Sequence, residues 1–421
     1  MYLTGPALAL FAVLAAIVMG AQTYAPFGSE NALGIALGAG STAAMSMALI
    51  LSTRPKLLEP LFGGLDRMYQ AHKWLGIAAL ALMLAHNSYE PDLENFVRET
   101  RLGHRAEDVG EWAFNGLIGL ILLSWFKRIP LLRLELPWAW WRFTHRFTGA
   151  LFALVAFHVL ATDTPADTSG ALHLYLKALC FAGIFAWLFT WVAPKFRRRS
   201  FVLDDISRYG SITELRLQPE NRPMQWQPGQ FAFVSAAEAG MGEPHPFTIA
   251  GAPERDGSLR FGIKALGRWT AQLPDYLQPG QRVQVEGPYG RFVFRKRAKQ
   301  QVWLAGGIGI TPFLAWAEAL QERNDQHIVL VWTVACRDEA FAAERLAACA
   351  ARYPQLEVHI VVSAEEGRLT AQKLVARVPF SMREAELFYC GPEGLRKAIE
   401  KGLKAMGQSP KRIHYEEFEL R

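Results

Sequence analysis

The chain falls into two halves with different hydrophobic patterns. In the first 195 residues, six runs with few or no charged side chains alternate with polar stretches, near 4–23, 31–52, 70–90, 109–127, 143–162 and 171–193. Each run is close to the ~20 residues that cross the ~30 Å hydrocarbon layer of a membrane. The pattern predicts a membrane α-helical bundle of six transmembrane helices. Because the first run lacks a basic n-region and a clean cleavage site, we expect a retained helix, not a removed signal peptide.

The basic residues of this half indicate how the bundle is oriented. Lysine and arginine collect between runs two and three, between runs four and five, and after run six, whereas the alternate connections are acidic or mixed. By the positive-inside rule the basic connections face the cytoplasm. The prediction is a multi-pass protein of the inner (plasma) membrane, embedded in the lipid bilayer, with both termini in the cytoplasm.

From about residue 200 the pattern changes to short alternating strands separated by turns such as Gln-Pro-Gly at 227–229 and 278–280. This alternation predicts a small antiparallel β-barrel. From residue 301 onward, strands alternate with glycine-rich turns and helices, which is typical of a parallel α/β sheet. No internal repeat or low-complexity linker is apparent. The predicted domains are therefore 1–195, 196–298 and 299–421.

Composition excludes several other classes of protein. The 421 residues carry a net charge of +6, but the basic residues lie beside apolar segments instead of forming one stripe, so no nucleic-acid partner is expected. The four cysteines are scattered and include no CxxC pair, which excludes a disulfide scaffold and a thiolate zinc site.

Four histidines lie inside the predicted bundle at matched depths. His72 and His86 in run three, and His145 and His158 in run five, are each separated by roughly 20 Å of helix, so each run has one histidine near each membrane face. Two stacked pairs, His72 with His145 and His86 with His158, suit two six-coordinate b-type haems. The alternative is that each histidine hydrogen-bonds a neighbouring helix. At ~100° per residue, the spacing within run five leaves an offset of ~140°, so that run must be distorted if both its histidines face run three.

Several short motifs of the soluble half suggest nucleotide binding. The segment His245-Pro246-Phe247-Thr248 places a ring and a hydroxyl on one extended stretch, suited to an isoalloxazine. The segment from Lys264 through Gly267, Trp269 and Thr270 opens a helix whose N–H groups could hold a pyrophosphate, or it is an ordinary helix cap. Glycine-rich turns follow two strands, at Gly306, Gly307, Gly309, Thr311 and Pro312 and at Cys390, Gly391 and Pro392. Arg337 either pairs with a 2′-phosphate or is a surface arginine.

In this combination the chain resembles the NADPH oxidase and ferric reductase family, in particular its compact prokaryotic oxidases. The resemblance implies a ferric-reductase-like transmembrane bis-haem domain, a ferredoxin-reductase-type β-barrel that binds FAD, and a Rossmann-like NAD(P)-binding α/β domain. It implies two haem b, held by the four histidines, together with FAD and NADPH, with NADH also possible. His245 to Thr248 and Gly267 to Thr270 would contact FAD, and Gly306 to Pro312 with Cys390 to Pro392 would contact NAD(P)H. Phe418 would cover the flavin, with Glu416 or Glu417 nearby and Cys390 near the nicotinamide.

The expected activity is transmembrane electron transfer from NAD(P)H to oxygen, which gives superoxide. A ferric (metal-chelate) reductase and an electron donor to an extracytoplasmic redox partner use the same path and stay open, as does a membrane-anchored flavin reductase with structural histidines. No EF-hand loop precedes run one and no proline-rich partner tail is present, so no obligatory regulatory subunit is expected.

Overall fold

The structure, a computed structural model, describes residues 4–93, 95–125, 128–129, 134–135, 138–236, 240–294, 298–322 and 325–416. It divides into two compact units, Met1–Phe196 and Arg197–Arg421. The first unit corresponds to the predicted helical half, and the second contains both predicted soluble domains.

The first unit is built of helices. They are α1 (Thr4–Tyr24), α2 (Ser29–Ser52), α3 (Glu59–Phe62), α4 (Leu65–Ser88), α5 (Arg101–Trp125), α6 (Trp138–His145), α7 (Thr148–Ala161) and α8 (Ala171–Arg197), with short paired strands β1 (Arg128–Ile129) and β2 (Leu134–Glu135). Helix α2 packs against α1 and α4, and α5 packs against α7. Buried alanine, glycine and serine residues on α2 allow these close helix contacts.

Four stretches of the described residues are long and apolar enough to cross a membrane: Thr4–Phe27, Ser29–Ser52, Trp140–Ala161 and Ala171–Arg197. They correspond to predicted runs one, two, five and six, and they support the predicted membrane protein. Predicted runs three and four form α4 and α5, which at 24 and 25 residues are long enough to span. Charged side chains in their N-terminal halves make these two helices more polar, so the count of six spans stays a prediction.

The expected distortion of run five is a helix break. Helix α6 ends at His145 and α7 begins at Thr148, with a turn at residues 146–147. The carbonyl of Arg146 accepts hydrogen bonds from the Gly149 N–H (3.3 Å) and from Trp187 Nε1 (3.0 Å). Gly149 also lies under the Trp187 ring, where a Cβ would collide with Cδ1. The break therefore turns His145 and His158 relative to each other away from ideal helix geometry.

The second unit begins with a six-stranded antiparallel sheet. Its strands are β3 (Arg198–Tyr209), β4 (Ile212–Pro219), β5 (Phe231–Ala236), β6 (Met241–Thr248), β7 (Leu259–Lys264) and β8 (Arg282–Tyr289), in the order β6-β5-β8-β3-β4-β7. A bridge between Ile249 and Phe261 joins the two edges, so the sheet curls into the predicted barrel. Helix α9 (Arg268–Tyr276) buries Leu273 in the barrel core.

A five-stranded parallel sheet follows the barrel. Strands β9 (Gln300–Gly306), β10 (His327–Val334), β11 (Leu356–Val362), β12 (Glu386–Cys390) and β13 (Arg412–Tyr415) lie in the order β11-β10-β9-β12-β13. The connecting helices are α10 (Thr311–Glu318), α11 (Ala343–Arg352), α12 (Ser363–Glu366), α13 (Ala371–Val375) and α14 (Glu393–Ala405). The fully buried Trp303, Trp316 and Trp332 belong to one core cluster on this sheet. In such a sheet the loops at the carboxyl ends of the central strands form the ligand crevice.

The two Gln-Pro-Gly turns of the barrel offer a matched test of packing. Gly229 (φ +96°) and Gly280 (φ +88°) both need the left-handed region, but a Cβ on Gly229 would collide with the Phe292 carbonyl and lie 2.5 Å from Trp316 Nε1, whereas one on Gly280 would meet open space. We expect Gly280→Ala to cost ~1 kcal/mol of stability through backbone strain. Gly229→Ala should cost a further ~1–3 kcal/mol through overpacking. Thermal unfolding of the full chain in detergent checks this. Equal losses of stability in the two variants would contradict the close packing of Gly229 against Phe292 and Trp316.

Candidate functional site

Two predicted haem ligands are held by helix α2. His72 Nδ1, on α4, hydrogen-bonds the carbonyl of Ala48 at 2.8 Å, and His86 Nδ1 hydrogen-bonds the carbonyl of Gly34 at 2.8 Å. A carbonyl accepts, so each Nδ1 must carry the proton. The opposite nitrogen, Nε2, is then the unprotonated one, with its lone pair available to a metal.

The other two predicted ligands lie on α6 and α7. His158 Nδ1 hydrogen-bonds the carbonyl of Ala106 on α5 at 2.9 Å, in the same way as the histidines of α4. The His145 ring instead stacks on Trp141, with centroids 5.0 Å apart and planes 9° apart. Its buried Nδ1 has no hydrogen-bond partner among the residues that the structure describes.

The geometry of the inner pair fits one iron between two imidazoles. The ring centroids of His72 and His145 are 6.2 Å apart. With imidazole–metal bonds near ~2 Å and about 1 Å from each Nε2 to its ring centre, two opposed axial ligands place their centroids about 6 Å apart. Within the described ranges, no cluster of three or more histidine, cysteine or acidic residues could hold a metal ion. A haem iron, held by four porphyrin nitrogens, needs two protein ligands, and each predicted pair offers two.

The predicted flavin residues lie at the end of β6. His245, Pro246, Phe247 and Thr248 are its last four residues. The Trp269 ring, from the first turn of α9, lies 4.6 Å from the His245 ring and stacks on Phe247 at 5.7 Å with an interplanar angle of 28°. His245, Phe247 and Trp269 therefore form one aromatic cluster, the kind of surface on which a planar ring system can pack, and Thr248 is buried at the end of the strand.

The predicted phosphate segment forms the N-terminus of α9, as both the phosphate-site prediction and its alternative, an ordinary helix cap, require. Thr270 Oγ1 accepts hydrogen bonds from the N–H groups of Leu266 and Gly267, each at 3.0 Å, and so acts as the cap of α9. Lys264 lies 2.8 Å from Glu339 in the α/β domain and forms an ion pair with it. Burial alone would raise the pKa of Glu339, but hydrogen bonds from Lys264 and Ser211 outweigh it and hold that pKa below its ordinary value. The structure therefore places Lys264 at a contact between the two soluble domains.

The predicted nucleotide turns meet at the carboxyl ends of β9 and β12. A Cβ on Gly306 would lie 2.8 Å from Pro392 Cδ and 3.4 Å from Gly391 Cα, and one on Gly309 would collide with the Cys390 carbonyl. Glycine is required at both positions because the two loops touch. Such bare backbone allows a phosphate to approach the N–H groups closely.

The first of these turns leads directly into α10. Gly307, with φ +55°, adopts the left-handed conformation, and its carbonyl accepts a hydrogen bond from Trp332 Nε1 at 2.8 Å. Thr311 donates to the Ile308 carbonyl at 3.2 Å, and Pro312 occupies the first turn of the helix. Proline fits there because the first helical N–H groups have no intrahelical acceptor.

The end of β12 carries a thiol that is held protonated. Cys390 is fully buried, and burial together with the Glu416 carboxylate raises its pKa well above the ordinary value. The resemblance left Glu416 and Glu417 as alternatives near Phe418 and the flavin; the structure places Glu416, largely buried, near Cys390 and against Gly290. Glu417 and Phe418 lie outside the described residues.

Arg337 forms an ion pair on the surface. Its guanidinium makes two contacts with Glu365, at 3.1 and 2.6 Å, and its side chain is 75% exposed. The pairing raises the pKa of Arg337 and lowers that of Glu365. A 2′-phosphate would have to compete with this carboxylate for Arg337.

Sequence reasoning missed one arginine that joins the two soluble domains. Arg345, on α11, contacts Glu318 of α10 and Glu214 of β4, each at 2.6 Å, and donates to the Ala250 carbonyl at 3.0 Å. It therefore links the barrel to the parallel sheet. No local motif marks Arg345, because its partners are distant in sequence.

The chain matches three protein families in succession. Residues 37–156 match the family described as "Ferric reductase like transmembrane component", residues 204–293 an FAD-binding domain, and residues 303–401 an oxidoreductase NAD-binding domain. These matches identify an oxidoreductase with a ferric-reductase-like membrane domain and binding domains for FAD and NAD(P)H. The order of the three domains is the architecture of the NADPH oxidase and ferric reductase-like flavocytochromes, as the resemblance implied.

Known relatives match about half of the chain. The chain is 26% identical to the toluate 1,2-dioxygenase electron transfer component of Pseudomonas putida over 45% of this chain and 58% of that protein. It is 30% identical to an NADPH oxidoreductase of Mycobacterium tuberculosis, over 46% of this chain and 52% of that protein. The chain thus spans little more than half the length of these relatives. The solved flavohemoglobin of Malassezia yamatoensis shares 18% identity, with a TM-score of 0.50 over 97% of this chain and 98% of that one, a likeness in fold alone.

The Arg337–Glu365 pair gives a test of cofactor preference. Arg337→Ala is expected to raise the KM for NADPH more than the KM for NADH, because a charge-assisted hydrogen bond is worth ~1.5–3 kcal/mol. Glu365→Gln, which removes the competing charge, should lower the KM for NADPH. Steady-state kinetics with both nucleotides checks this, and an equal change for NADH and NADPH in Arg337→Ala would show that Arg337 does not contact the 2′-phosphate.

Proposed function

We propose that the protein is a transmembrane NAD(P)H oxidase that passes electrons from cytosolic NAD(P)H through FAD and two b-type haems to oxygen outside the membrane, giving superoxide. The observation that carries this proposal is the inner histidine pair. Its centroid separation of 6.2 Å matches axial ligation, and three of the four histidines have Nδ1 bonded to a backbone carbonyl. Those hydrogen bonds orient the rings and leave Nε2 for iron.

The overall reaction balances with two acceptors for each nucleotide. NAD(P)H loses a hydride, two oxygen molecules each gain one electron, and one proton is left in the cytoplasm. Bound flavin and haem supply the change from two-electron to one-electron chemistry. If His72, His86, His145 and His158 held the two haem irons in pairs, neither iron would have a site left for oxygen, and oxygen would accept its electron at the haem edge.

The chain's own residues bind and orient the nucleotide and flavin. The turns at Gly306 and Gly391 offer backbone N–H groups to the nucleotide phosphates, and the surface of Phe247 and Trp269 takes the flavin ring. Cys390 keeps its proton on Sγ because burial and Glu416 raise its pKa, so it presents an uncharged thiol to the nicotinamide. Phe418 is proposed to cover the flavin, with Glu417 beside it.

The membrane adds a driving force. In the proposed topology six helices span the inner membrane with both termini in the cytoplasm. Moving one electron outward across a ~100 mV inside-negative potential releases about 2.3 kcal/mol. No regulatory subunit is required in this proposal.

A second candidate is a ferric (metal-chelate) reductase, or a donor to an extracytoplasmic redox partner, by the same electron path. The match of residues 37–156 to a ferric-reductase-like component favours it. The two candidates differ in the acceptor.

Reduction of cytochrome c by the purified, FAD-supplemented protein in air distinguishes the oxidase from the second candidate. With NADPH as donor, superoxide dismutase should abolish the signal if oxygen is reduced to superoxide. A signal that persists with dismutase means direct transfer to the acceptor and contradicts the oxidase.

The matched control for the electron path is a histidine outside the pairs. His158→Ala should remove the outer haem's absorbance and superoxide formation while NADPH still reduces FAD. His104→Ala, at an exposed position on α5, should change neither. Identical spectra of His158→Ala and the parent would overturn the ligand assignment.

A further inference from the structure

The helical unit contains a repeat that the hydrophobic pattern did not reveal. Helix α2 packs against α4, and α5 packs against α7. Along the chain, the interval from the start of α2 to the start of α5 is almost the same as the interval from the end of α4 to the end of α7. The same two-helix arrangement therefore occurs twice, with His72 and His86 on α4 in one copy and His158 on α7 in the other; His145 ends α6, directly before α7.

The outer histidines are held identically in the two copies. His86 bonds the carbonyl of Gly34, and His158 bonds that of Ala106; the two bonds join residues with the same separation along the chain. The two ligands are therefore offset in sequence by the same interval as their two acceptors. One helical turn after each acceptor comes a glycine, at residue 38 in α2 and at residue 110 in α5, and these glycines are offset by that interval too.

A glycine at this position has a specific geometric consequence. In a helix the Cα–Cβ bond tilts toward the N-terminus, so the side chain of residue i+4 lies over the carbonyl of residue i. A carbonyl has two lone pairs and can accept from a neighbouring helix in addition to its own helical N–H. Glycine at i+4 leaves that carbonyl open to an incoming imidazole.

The distances show how little room remains. A Cβ on Gly38 would lie 3.0 Å from His86 Nδ1, and one on Gly110 would lie 2.5 Å from His158 Nδ1. Carbon atoms in ordinary contact are ~3.5–4.0 Å apart. A methyl group at either glycine therefore requires the imidazole to move, more so at Gly110.

The inner pair is built differently. His72 bonds Ala48, whose i+4 residue is Ser52, and His145 stacks on Trp141. The paired glycines belong to the outer histidines, where helices α2 and α5 lie against the imidazole rings.

We propose that Gly38 and Gly110 are positioning residues for the outer haem: by admitting the Nδ1–carbonyl hydrogen bonds, they fix the planes of His86 and His158 and aim both Nε2 atoms at one iron. This inference rests on the proposed function. The hydrogen bond to the carbonyl also fixes the plane of the imidazole ring. Enlarging either glycine therefore changes how the outer histidines bind the outer iron and leaves the inner histidines as they are.

The test compares Gly110→Ala with Gly119→Ala in the full-length, FAD-supplemented protein. Gly119 lies on the same helix, is exposed, and a Cβ there meets nothing within 4 Å. Haem b per FAD is counted by absorbance, and the low-spin ferric signals are recorded by electron paramagnetic resonance. Gly110→Ala should lose one of two haems or shift one of two low-spin signals, while Gly119→Ala matches the parent and NADPH reduces FAD in both.

A second variant keeps the test decisive if Gly110→Ala does not fold. Gly38→Ala, with the smaller overlap, should shift the same low-spin signal while keeping more haem. Two haems with unchanged signals in Gly38→Ala and Gly110→Ala would overturn the inference and leave the proposed function standing. A parent protein that binds no haem would overturn both.

Discussion

The helical unit depends on one interaction, the hydrogen bond from a half-buried imidazole Nδ1 to a backbone carbonyl of a neighbouring helix. A histidine inside a membrane bundle needs a partner for its N–H, because an unsatisfied polar group in an apolar setting is costly. A mid-helix carbonyl supplies that partner without a polar side chain. A hydrogen bond from Nδ1 to this carbonyl fixes the tautomer of the histidine. It therefore also fixes the direction in which the Nε2 lone pair points. Small residues on α2 and α5 follow from this requirement, since larger ones would cover the carbonyls.

Close backbone approach also organises the soluble unit. The loops after β9 and β12 touch through Gly306 and Gly391, which places the two turns predicted to bind phosphate at one edge of the sheet. Arg345 and the Lys264–Glu339 pair hold the barrel against that sheet. These ion pairs are largely buried, and breaking one by removing a single partner would leave an uncompensated charge. Hydride transfer between two bound cofactors needs this kind of fixed separation between their domains.

Much of this fold could be predicted from local pattern. The parallel strands β9 to β12 lie in apolar runs, because burial on both faces of the sheet imposes that composition, and the glycine turns marked the ends of β9 and β12. The spacing of His145 and His158 requires a distortion of run five if both face run three, and the helix breaks at residues 146–147. The roles of Lys264 and Arg345 could not be predicted, since each depends on an acidic partner brought near by tertiary folding. The repeat within the helical unit was hidden because its copies share geometry and a few glycine and histidine positions, with little other sequence.

The most direct measurement is the haem content of the purified protein and its response to NADPH without oxygen. The account predicts two haem b for each FAD, both reduced by NADPH, with spectra of six-coordinate low-spin iron. A protein that carries FAD and oxidises NADPH but contains no haem would contradict the account, and the four histidines would then be structural.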